Sequence, residues 1–336
     1  MKKILVTGGL GFIGSNFVRF LLLKYPDLHV VNLDKETYCG NPENLAEFKK
    51  DSRYEYIRGD ICDAKTVEKA MGRCAAVFNF AAQTHVDRSI LKADEFIRTN
   101  VEGTGTLLET ARRLRLEKFI QISTDEVYGS TERGSFSEES PLNPSSPYSA
   151  SKASADLLAL AYCKTYGVPV TVTRCTNNFG PYQYPEKLVS LFITNAIEGL
   201  KLPLYGDGLN VREWIYVLDH CEALDVVWKK GKAGEVYNIG SGKEVANKEM
   251  SQAILRELGK PSTLIEHVKD RPAHDRRYSV DAKKLRALGW TPRNSFEEAL
   301  CETVRWYQNH ESWWKKLKQK KKEFQDYYNV QYGVNP

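Results

Sequence analysis

The sequence predicts an α/β fold in which a doubly wound parallel sheet is followed by a smaller C-terminal domain. Short β-rich apolar runs alternate with helical patterns as far as residue 176. Three glycines follow the first of these runs and open a helix, as in Rossmann-type domains. Beyond that point, loops rich in Pro, Tyr and Gly separate short helices. We therefore predict a Rossmann-type domain over residues 1–176, rejoined by about 211–240, and a partly discontinuous second domain over 177–336.

The first helix follows a glycine-rich turn. Residues 4–7 are predicted as a strand, and Gly8, Gly11 and Gly14 then open a helix over 12–24. Glycines permit a tight turn and a close approach of the backbone, and the helix N-terminus favours a pyrophosphate. The spacing differs from the commoner GxGxxG form, but the same physics applies. The predicted ligand is a dinucleotide.

A second strand over 29–33 ends at Asp34, which lies about twenty residues past the last glycine. A carboxylate at this position accepts the hydroxyls of the adenosine ribose and repels a 2′-phosphate. This favours NAD over NADP, although the neighbouring Lys35 weakens the preference. The third strand, over 54–57, leads to Asp60, a predicted adenine contact.

The next segments bring the backbone towards the same ligand. A helix over 64–72 and a strand over 75–80 precede Ala81 and Ala82, whose small side chains allow a cofactor to approach. Thr84 offers a hydroxyl just beyond them, and His85 is interpreted as a structural histidine. One long helix is predicted over 93–113.

Two neighbouring carboxylates follow the apolar strand over 118–122. Ser123-Thr124-Asp125-Glu126 places a hydroxyl and both acids at the strand end, where ligands of doubly wound sheets lie. In a regular strand Asp125 and Glu126 would point to opposite faces. Both serve one site only if the strand breaks into a loop here. The alternative is an acidic surface loop.

Tyr148 and Lys152 share one face of a helix predicted to run to about Tyr166. An ammonium near a phenol favours the phenolate and lowers the phenol pKa, which makes tyrosine a usable base. The alternative is a chance pair on a solvated helix face. The glycine turn and the strand-end hydroxyl upstream favour the catalytic interpretation.

The C-terminal half carries three cations suited to a diphosphate: Lys187, Arg212 and Arg271. Each has the alternative of an ordinary surface salt bridge. Asp219 and Asn247 are predicted as helix N-caps.

Composition excludes several classes of protein. The net charge of +5 over 336 residues is mild, and the lysine run over 315–322 is interpreted as a solvated helix end rather than a nucleic-acid or membrane site. Seven scattered cysteines without a CxxC pair indicate a reducing compartment, without zinc or a disulfide framework, and no metal is predicted. No signal peptide and no run of membrane-spanning length is recognised, so the cytoplasm is expected.

At this point the sequence resembles the extended short-chain dehydrogenase/reductase superfamily, and most closely its dTDP-glucose 4,6-dehydratase family. The resemblance covers nearly the whole chain. It is carried by the segments Thr7–Gly14, His85–Ser89, Ser123–Gly129, Pro147–Lys152, Asn177–Tyr182, Pro185–Leu188 and Asp270–Asp275. The adjacent acids are its most specific part, because related epimerases carry small or hydroxyl residues there. Gln83-Thr84 departs from the Glu-Ser of many bacterial members.

The resemblance implies a complete set of site residues. The catalytic residues are Thr124, Asp125, Glu126, Tyr148 and Lys152. The cofactor-binding residues are Gly8, Gly11, Phe12, Ile13, Gly14, Asp34, Lys35, Thr37, Asp60, Ile61, Phe80, Ala81, Ala82, Thr99, Tyr148, Lys152 and Asn178. The substrate-binding residues are Thr84, Thr124, Asn177, Lys187, Leu188, Pro203, Tyr205, Arg212, Asn247, Arg271 and His274.

The implied reaction is a redox-neutral dehydration of dTDP-glucose. Tyr148 and Thr124 act at the sugar 4-hydroxyl, Glu126 takes the proton at C5, and a protonated Asp125 supplies a proton to the departing 6-hydroxyl. NAD is recycled and stays bound. The resemblance further implies a homodimer, joined through the helices near 93–113 and from Tyr148 onward, with no nucleic-acid or membrane partner. A UDP-hexose dehydratase, a 4-epimerase and a non-catalytic NAD-binding module remain alternatives.

Overall fold

The computed structural model describes residues 2–272, 274–320, 324 and 328. The strands are β1 (Lys2–Thr7), β2 (Leu28–Asp34), β3 (Tyr54–Arg58), β4 (Ala76–Asn79), β5 (Lys118–Thr124), β6 (Val170–Cys175), β7 (Asn177–Phe179), β8 (Leu202–Tyr205), β9 (Val211–Tyr216), β10 (Val236–Ile239), β11 (Glu244–Ala246) and β12 (Ile265–Val268).

The helices are α1 (Phe12–Lys24), α2 (Ala64–Met71), α3 (Val86–Leu91), α4 (Ala93–Phe96), α5 (Thr104–Arg113), α6 (Pro147–Tyr166), α7 (Leu188–Glu198), α8 (Val217–Lys230), α9 (Asn247–Glu257), α10 (Lys283–Ala287), α11 (Phe296–Asn309) and α12 (Glu311–Lys320). Shorter turns of 3₁₀ helix cover Pro42–Phe48, Asp125–Tyr128 and Ser262–Leu264, and a π-helical segment covers Ile97–Gly103.

A seven-stranded parallel sheet forms the first domain, in the order β10-β6-β5-β4-β1-β2-β3. Alternate residues of β1 enter different apolar clusters: Ile4 and Val6 lie on one face, and Leu5 lies on the other. Helices cover both faces, so the inner strands are buried, whereas the edge strand β3 is largely exposed. The predicted α/β fold with a doubly wound parallel sheet is confirmed.

The chain leaves this sheet after β6 and returns to it with β10. Between and after these strands it builds a second apolar core around a three-stranded sheet, β11-β9-β7, and a two-stranded sheet, β12-β8. No strand is predicted over residues 177–182, whereas Asn177–Phe179 is a strand paired with β9. A three-residue strand is too short to show an alternating pattern. It places Asn177 and Asn178 beside the ends of β5 and β6.

The predicted long helix over 93–113 contains a break in its hydrogen-bond pattern. Residues Ile97–Gly103 are π-helical, between α4 and α5. The inserted turn presents Asn100, whose side chain accepts from the Gln83 N–H at 2.8 Å and donates to Ser151 Oγ at 2.8 Å. π-Turns of this kind often occur at functional sites. This one ties the segment after β4 to α6.

Both predicted N-caps are wrong. The helix α8 begins at Val217, so Asp219 lies in its first turn, and its carboxylate accepts from the Arg293 N–H at 2.9 Å. Asn247 is itself the first residue of α9, and its side-chain oxygen is buried without a hydrogen-bond partner. In each case the helix starts earlier than the polar residue suggests, because the preceding strand runs directly into it.

The prediction of a solvated helix end over 315–322 holds for only part of its described residues, which end at residue 320: Lys316 and Gln319 are exposed, but two of their neighbours are not. Leu317 and Lys318 are each 5% exposed, and Lys318 Nζ donates to Asn195 Oδ1 at 3.0 Å and contacts Glu198. Trp314 is fully buried. The helix is therefore packed on the second domain. In the described part of the chain, no helix has the length and apolarity needed to cross a bilayer.

Candidate active site

A cleft opens at the carboxyl ends of the parallel strands, next to the segments that follow β6. All the residues predicted to bind the cofactor line it, together with Thr84, Thr124, Asp125, Asn177 and Lys187. Several residues that line the cleft are not among the predicted site residues, for example Cys39, Gln183, Tyr184 and Glu186. Ligands of doubly wound sheets bind in this position, where the strand order reverses next to β1.

The glycine turn leaves no room for side chains. Gly8 has φ of +69°, and a Cβ atom there would lie 2.7 Å from the Ala81 nitrogen. A Cβ atom on Gly14 would lie 2.3 Å from the Gly8 carbonyl oxygen. Glycine is needed at both positions because the turn packs against the segment after β4 and against the start of α1. The backbone at the N-terminus of α1 is thereby open to an anion.

Asp34 lies at the end of β2 with its carboxylate fixed by the backbone. Oδ2 accepts from the Leu10 N–H at 3.0 Å and Oδ1 from the Glu36 N–H at 2.8 Å. Burial raises the pKa of this carboxyl, and the two backbone hydrogen bonds oppose the rise. Lys35 turns to Asp60, with Nζ 2.8 Å from Oδ2. Its ammonium is thus already paired, which lessens its attraction for a 2′-phosphate.

Strand β5 ends at Thr124, and a 3₁₀ turn begins at Asp125. This break is what Asp125 and Glu126 need in order to face the same site. Burial raises the pKa of the Asp125 carboxyl well above its usual range, and the carboxylates of Glu126 and Glu213 raise it further. Burial raises the pKa of Glu126 too, but three nearby cations oppose that rise, those of Arg271, Lys187 and Arg212. The environment therefore favours a protonated Asp125 beside a more readily ionised Glu126.

Tyr148 and Lys152 lie on α6 and line the same cleft. Burial raises the pKa of the Tyr148 phenol well above its usual value, and the charge of Glu126 adds to the rise. Lys152 is 5% exposed and donates from Nζ to the Ile122 carbonyl at 2.6 Å. In the polypeptide alone, burial and the charge of Glu126 therefore raise the Tyr148 pKa, in the direction opposite to the lowering expected from Lys152.

The three predicted cations differ in their partners. Arg271 Nη1 donates to Asp87 Oδ1 at 3.1 Å, and Asp87 is 4% exposed. Arg212 is 5% exposed, lies 4.2 Å from the centre of the Tyr278 ring and donates to the Asp275 carbonyl at 2.9 Å. Burial lowers the pKa of Lys187. The alternative of a surface salt bridge does not describe Arg212, which is buried, whereas Arg271 does form a salt bridge, although its partner Asp87 is buried.

Asp87 connects the segment after β4 to Tyr205 and Arg271 and was not predicted as a site residue. Its Oδ2 accepts from the Tyr205 hydroxyl at 3.1 Å, and the His85 ring nitrogen Nδ1 lies 3.7 Å from the same oxygen. Burial lowers the pKa of His85 to about 4, which agrees with a structural, neutral histidine. The role of Asp87 depends on three distant segments, so no local pattern in the sequence indicates it.

The remaining predicted substrate residues lie outside the lining of this cleft. Leu188 begins α7, Pro203 is buried in β8, and Asn247 begins α9. Tyr205 and His274 contact each other, with ring centres 5.9 Å apart. Arg212, Arg271 and Glu126 are likewise not among the lining residues, although Glu126 is electrostatically coupled to both arginines.

The residues present fit NAD. The glycine turn excludes a side chain where a pyrophosphate would approach, and Asp34 suits a ribose diol. Two buried polar atoms that line the cleft, Thr176 Oγ1 and Asn177 Oδ1, have no hydrogen-bond partner among the described residues. Buried polar atoms normally find partners, so a polar ligand is expected there. Among the described residues, no group of three or more His, Cys, Asp or Glu side chains is arranged to hold a metal ion.

Comparison with known proteins agrees with this site. The family model described as GDP-mannose 4,6 dehydratase matches residues 5–303. The chain is 52% identical over 321 residues to a dTDP-glucose 4,6-dehydratase of Streptomyces niveus, covering 94% of this chain and 96% of the relative.

Solved structures resemble the whole fold. The structure of DesIV, a dTDP-glucose 4,6-dehydratase from Streptomyces venezuelae with NAD and TYD bound, superposes with a TM-score of 0.92 at 50% identity, over 94% of this chain and 99% of that one. A UDP-glucose 4-epimerase of Thermus thermophilus in complex with NAD gives a TM-score of 0.86 at 32% identity, over 92% and 99% of the two chains. The identity falls from the dehydratase to the epimerase, while the fold is retained.

Proposed function

The chain belongs to the family that the GDP-mannose 4,6-dehydratase model describes, and on that premise we propose that it is an NAD-dependent dTDP-glucose 4,6-dehydratase, a hydro-lyase. It converts dTDP-glucose to dTDP-4-keto-6-deoxyglucose and water. The observation that carries the proposal is the acid pair at the end of β5. Asp125, whose pKa is strongly raised, lies next to Glu126 and lines the same cleft as Tyr148.

The first step is removal of the 4-hydroxyl proton. Tyr148 takes this proton and Thr124 holds the hydroxyl, while Lys152, fixed on the Ile122 carbonyl, keeps positive charge near the phenol. The glycine turn and Asp34 would hold NAD, which when bound would supply a hydride acceptor at C4, the same hydride for C6 and a positive charge in the cleft. These charges favour the phenolate that burial alone disfavours.

The second step uses the two acids in opposite protonation states. The 4-ketone acidifies the hydrogen on C5, and Glu126 removes it. Asp125 donates its proton to the departing 6-hydroxyl, so that water leaves, and C5 is reprotonated from Glu126, which exchanges with solvent, when the hydride reaches C6. Lys187, Arg212 and Arg271 supply charge for the diphosphate and lower the cost of ionising Glu126.

The test is incubation with dTDP-glucose in heavy water. We expect a product lighter by one water, with deuterium at C5 and no net change in NAD. A 4-epimer without exchange at C5 would identify an epimerase, and no turnover despite bound NAD would favour a non-catalytic module. The same assay with dTDP-, UDP-, GDP- and CDP-glucose identifies the nucleotide, and preferential dehydration of UDP-glucose would favour the UDP-hexose alternative.

We propose that the chain forms a homodimer through the helices around Ile97 and Leu157. Large apolar side chains are exposed there: Leu91 is 58% exposed, Ile97 54% and Leu157 59%. They lie on α3, on the π-helical turn and on α6, elements that contact one another. Covering such a patch in a partner subunit removes apolar area from water.

Leu157→Asp tests this dimer. A charge at the centre of an apolar interface is costly, so we expect the variant to elute as a monomer in size-exclusion chromatography with light scattering. Leu23→Asp is the matched control, because Leu23 is 72% exposed on α1, away from these helices. A dimer retained by the Leu157 variant, or a monomeric wild type, would contradict the proposed interface.

We also propose that the enzyme works in the cytoplasm, in the synthesis of 6-deoxysugars such as rhamnose. All seven cysteines lie in the described part of the chain and none of them forms a disulfide, as suits a reducing compartment. Cell fractionation with the activity assay locates the enzyme, and activity confined to an extracytoplasmic fraction would contradict this assignment.

A further inference from the structure

The C-terminal helix α12 is connected by a chain of hydrogen bonds to the glycine turn. Trp313 is 7% exposed, and its indole N–H donates to Asn44 Oδ1 at 2.9 Å. Asn44 is 1% exposed and donates from Nδ2 to the Leu10 carbonyl at 2.9 Å. The two bonds connect residues separated by most of the length of the chain.

The chain of bonds continues to the cofactor side of the cleft. The Leu10 N–H donates to Asp34 Oδ2 at 3.0 Å, and the Leu10 carbonyl also accepts from the Asn41 N–H at 3.1 Å. Leu10 stands between Gly8 and Gly11, which line the cleft. The N–H and the carbonyl of Leu10 are therefore both hydrogen-bonded. The N–H donates to Asp34, and the carbonyl accepts from Asn41 and from Asn44, the residue that Trp313 contacts.

An aromatic contact reinforces the same connection. The Tyr182 ring lies 4.6 Å from Trp306, 5.8 Å from Trp313 and 4.3 Å from the Arg19 guanidinium. Arg19 lies on α1, the helix that the glycine turn opens, and its Nη2 donates to the Asn44 carbonyl at 2.6 Å. The middle of α1, Asn44 and the C-terminal aromatic residues are thus in contact with one another.

We propose that Trp313 and Asn44 are positioning residues for NAD: they hold the Leu10 peptide, and with it Asp34 and the glycine turn, in the geometry that retains the cofactor. The proposal rests on the NAD-dependent function proposed above. Neither side chain lines the cleft. A recycled cofactor must stay bound through the reaction, so residues that hold its turn act on retention of NAD rather than on the chemical step.

Trp313→Phe tests this proposal, with Trp314→Phe as the matched control. Both substitutions keep an aromatic ring and remove one indole N–H. The Trp314 N–H donates to the Tyr307 carbonyl at 2.8 Å, within the second domain and away from the turn. We expect Trp313→Phe to weaken NAD binding by about five- to tenfold, as befits one buried hydrogen bond. Trp314→Phe leaves NAD binding unchanged.

The measurements are the NAD content of the purified protein, the dissociation constant of NAD by calorimetry and the melting temperature. Turnover at saturating NAD and the KM for dTDP-glucose are expected to stay at wild-type values in both variants. Equal NAD affinity in the Trp313 variant and the wild type overturns the proposal. So does an equal loss of affinity in both variants, because that result indicates general destabilisation.

Asn44→Leu provides a second arm in case the effect of one bond is small. It removes both side-chain bonds at nearly constant volume, so we expect a larger loss of NAD affinity than with Trp313→Phe, and little further loss when the two are combined. Additive losses would contradict a shared path. If the wild-type protein itself binds no NAD, the proposed function fails, which is distinguishable from failure of this inference alone.

Discussion

Glu126 and Asp125 are adjacent in the chain, yet their surroundings differ. Asp125 is 3% exposed and lies near Glu126 and Glu213, which raise its pKa, whereas three cations oppose the rise for Glu126. Two carboxyls separated in this way can serve as acid and base at one pH. The difference between the two carboxyl groups follows from the charged residues around them, which come from segments after β6.

Glu126→Gln therefore removes the base without removing the side chain. We expect dehydration to slow by about 10²- to 10⁴-fold, while slow oxidation at C4 continues. Product mass and the transient absorbance of the reduced cofactor follow the two steps separately. Glu132→Gln, in an exposed loop, is the control for a surface carboxylate. Unchanged dehydration in the Glu126 variant would contradict its role as base.

Individual site residues could be predicted from the sequence where the chemistry allows only one type of residue. Gly8, Gly14 and Asp34 are recognisable because few other residues meet the steric or charge requirement at those positions. Asp87 was missed because its partners Tyr205 and Arg271 are distant in the chain. The pKa direction of Tyr148 was also missed, since desolvation depends on burial that spacing along a helix does not reveal.

At the scale of elements, the turn between β1 and α1 depends on the absence of side chains. A Cβ atom on Gly14 would meet the Gly8 carbonyl oxygen at 2.3 Å and the Gly9 Cα at 2.9 Å. Both contacts are with backbone, which cannot move aside without opening the turn.

Gly14→Ala should consequently weaken NAD binding. Overpacking of this kind costs about 1–3 kcal/mol, so we expect about a tenfold or greater loss of affinity in calorimetric titration. Gly105→Ala is the matched control, since its Cβ atom would meet only the end of the Leu158 side chain, at 3.4 Å. NAD binding of wild-type strength in the Gly14 variant would contradict the steric requirement.

Long elements were predictable and short or irregular ones were not. The helix predicted over 12–24 has those bounds, and the helix containing Tyr148 ends at Tyr166 as expected. The strands β7 and β11 have three residues each, too few to show a pattern. The π-turn at Ile97–Gly103 has no compositional signature, because its extra residue is accommodated through the contacts of Asn100 with two other segments.

At the scale of the whole molecule, buried histidines connect folding stability to pH. Burial lowers the pKa of His85 and His274 to about 4 and that of His220 to about 3, from an ordinary value of 6.5. Below pH 6.5 the unfolded chain binds protons that the folded chain does not, so stability falls as the pH falls. The loss continues until the pH reaches the folded-state pKa values.

We expect the free energy of unfolding to drop by about 1.4 kcal/mol per pH unit for each such histidine between pH 6 and 4.5. His220→Gln should reduce this slope by about 1.4 kcal/mol per pH unit, the contribution of one histidine, because His220 is fully buried and its Nε2 has no hydrogen-bond partner among the described residues. Urea unfolding at several pH values measures the slope. His267→Gln, at an exposed site, is the control, and an unchanged slope in the His220 variant would contradict the prediction.

The overall architecture followed from the alternation of strands and helices in the first half of the chain, and the strand order confirms it. The packing of the second domain did not follow, because its core is assembled from distant segments. Trp314, Phe192 and Tyr307 share one apolar cluster although no periodic pattern connects them. The burial of Lys318 within the lysine run of α12 was not predictable for the same reason: its partners Asn195 and Glu198 are distant in the sequence.

The return of β10 to the edge of the large sheet has a consequence during synthesis on the ribosome. Until Val236–Ile239 has emerged, β6 presents its unpaired edge, although the residues before it already suffice for the other six strands. A nascent chain stalled in this interval exposes a template for intermolecular pairing. Premature termination before β10 should therefore yield aggregates rather than a free cofactor-binding module.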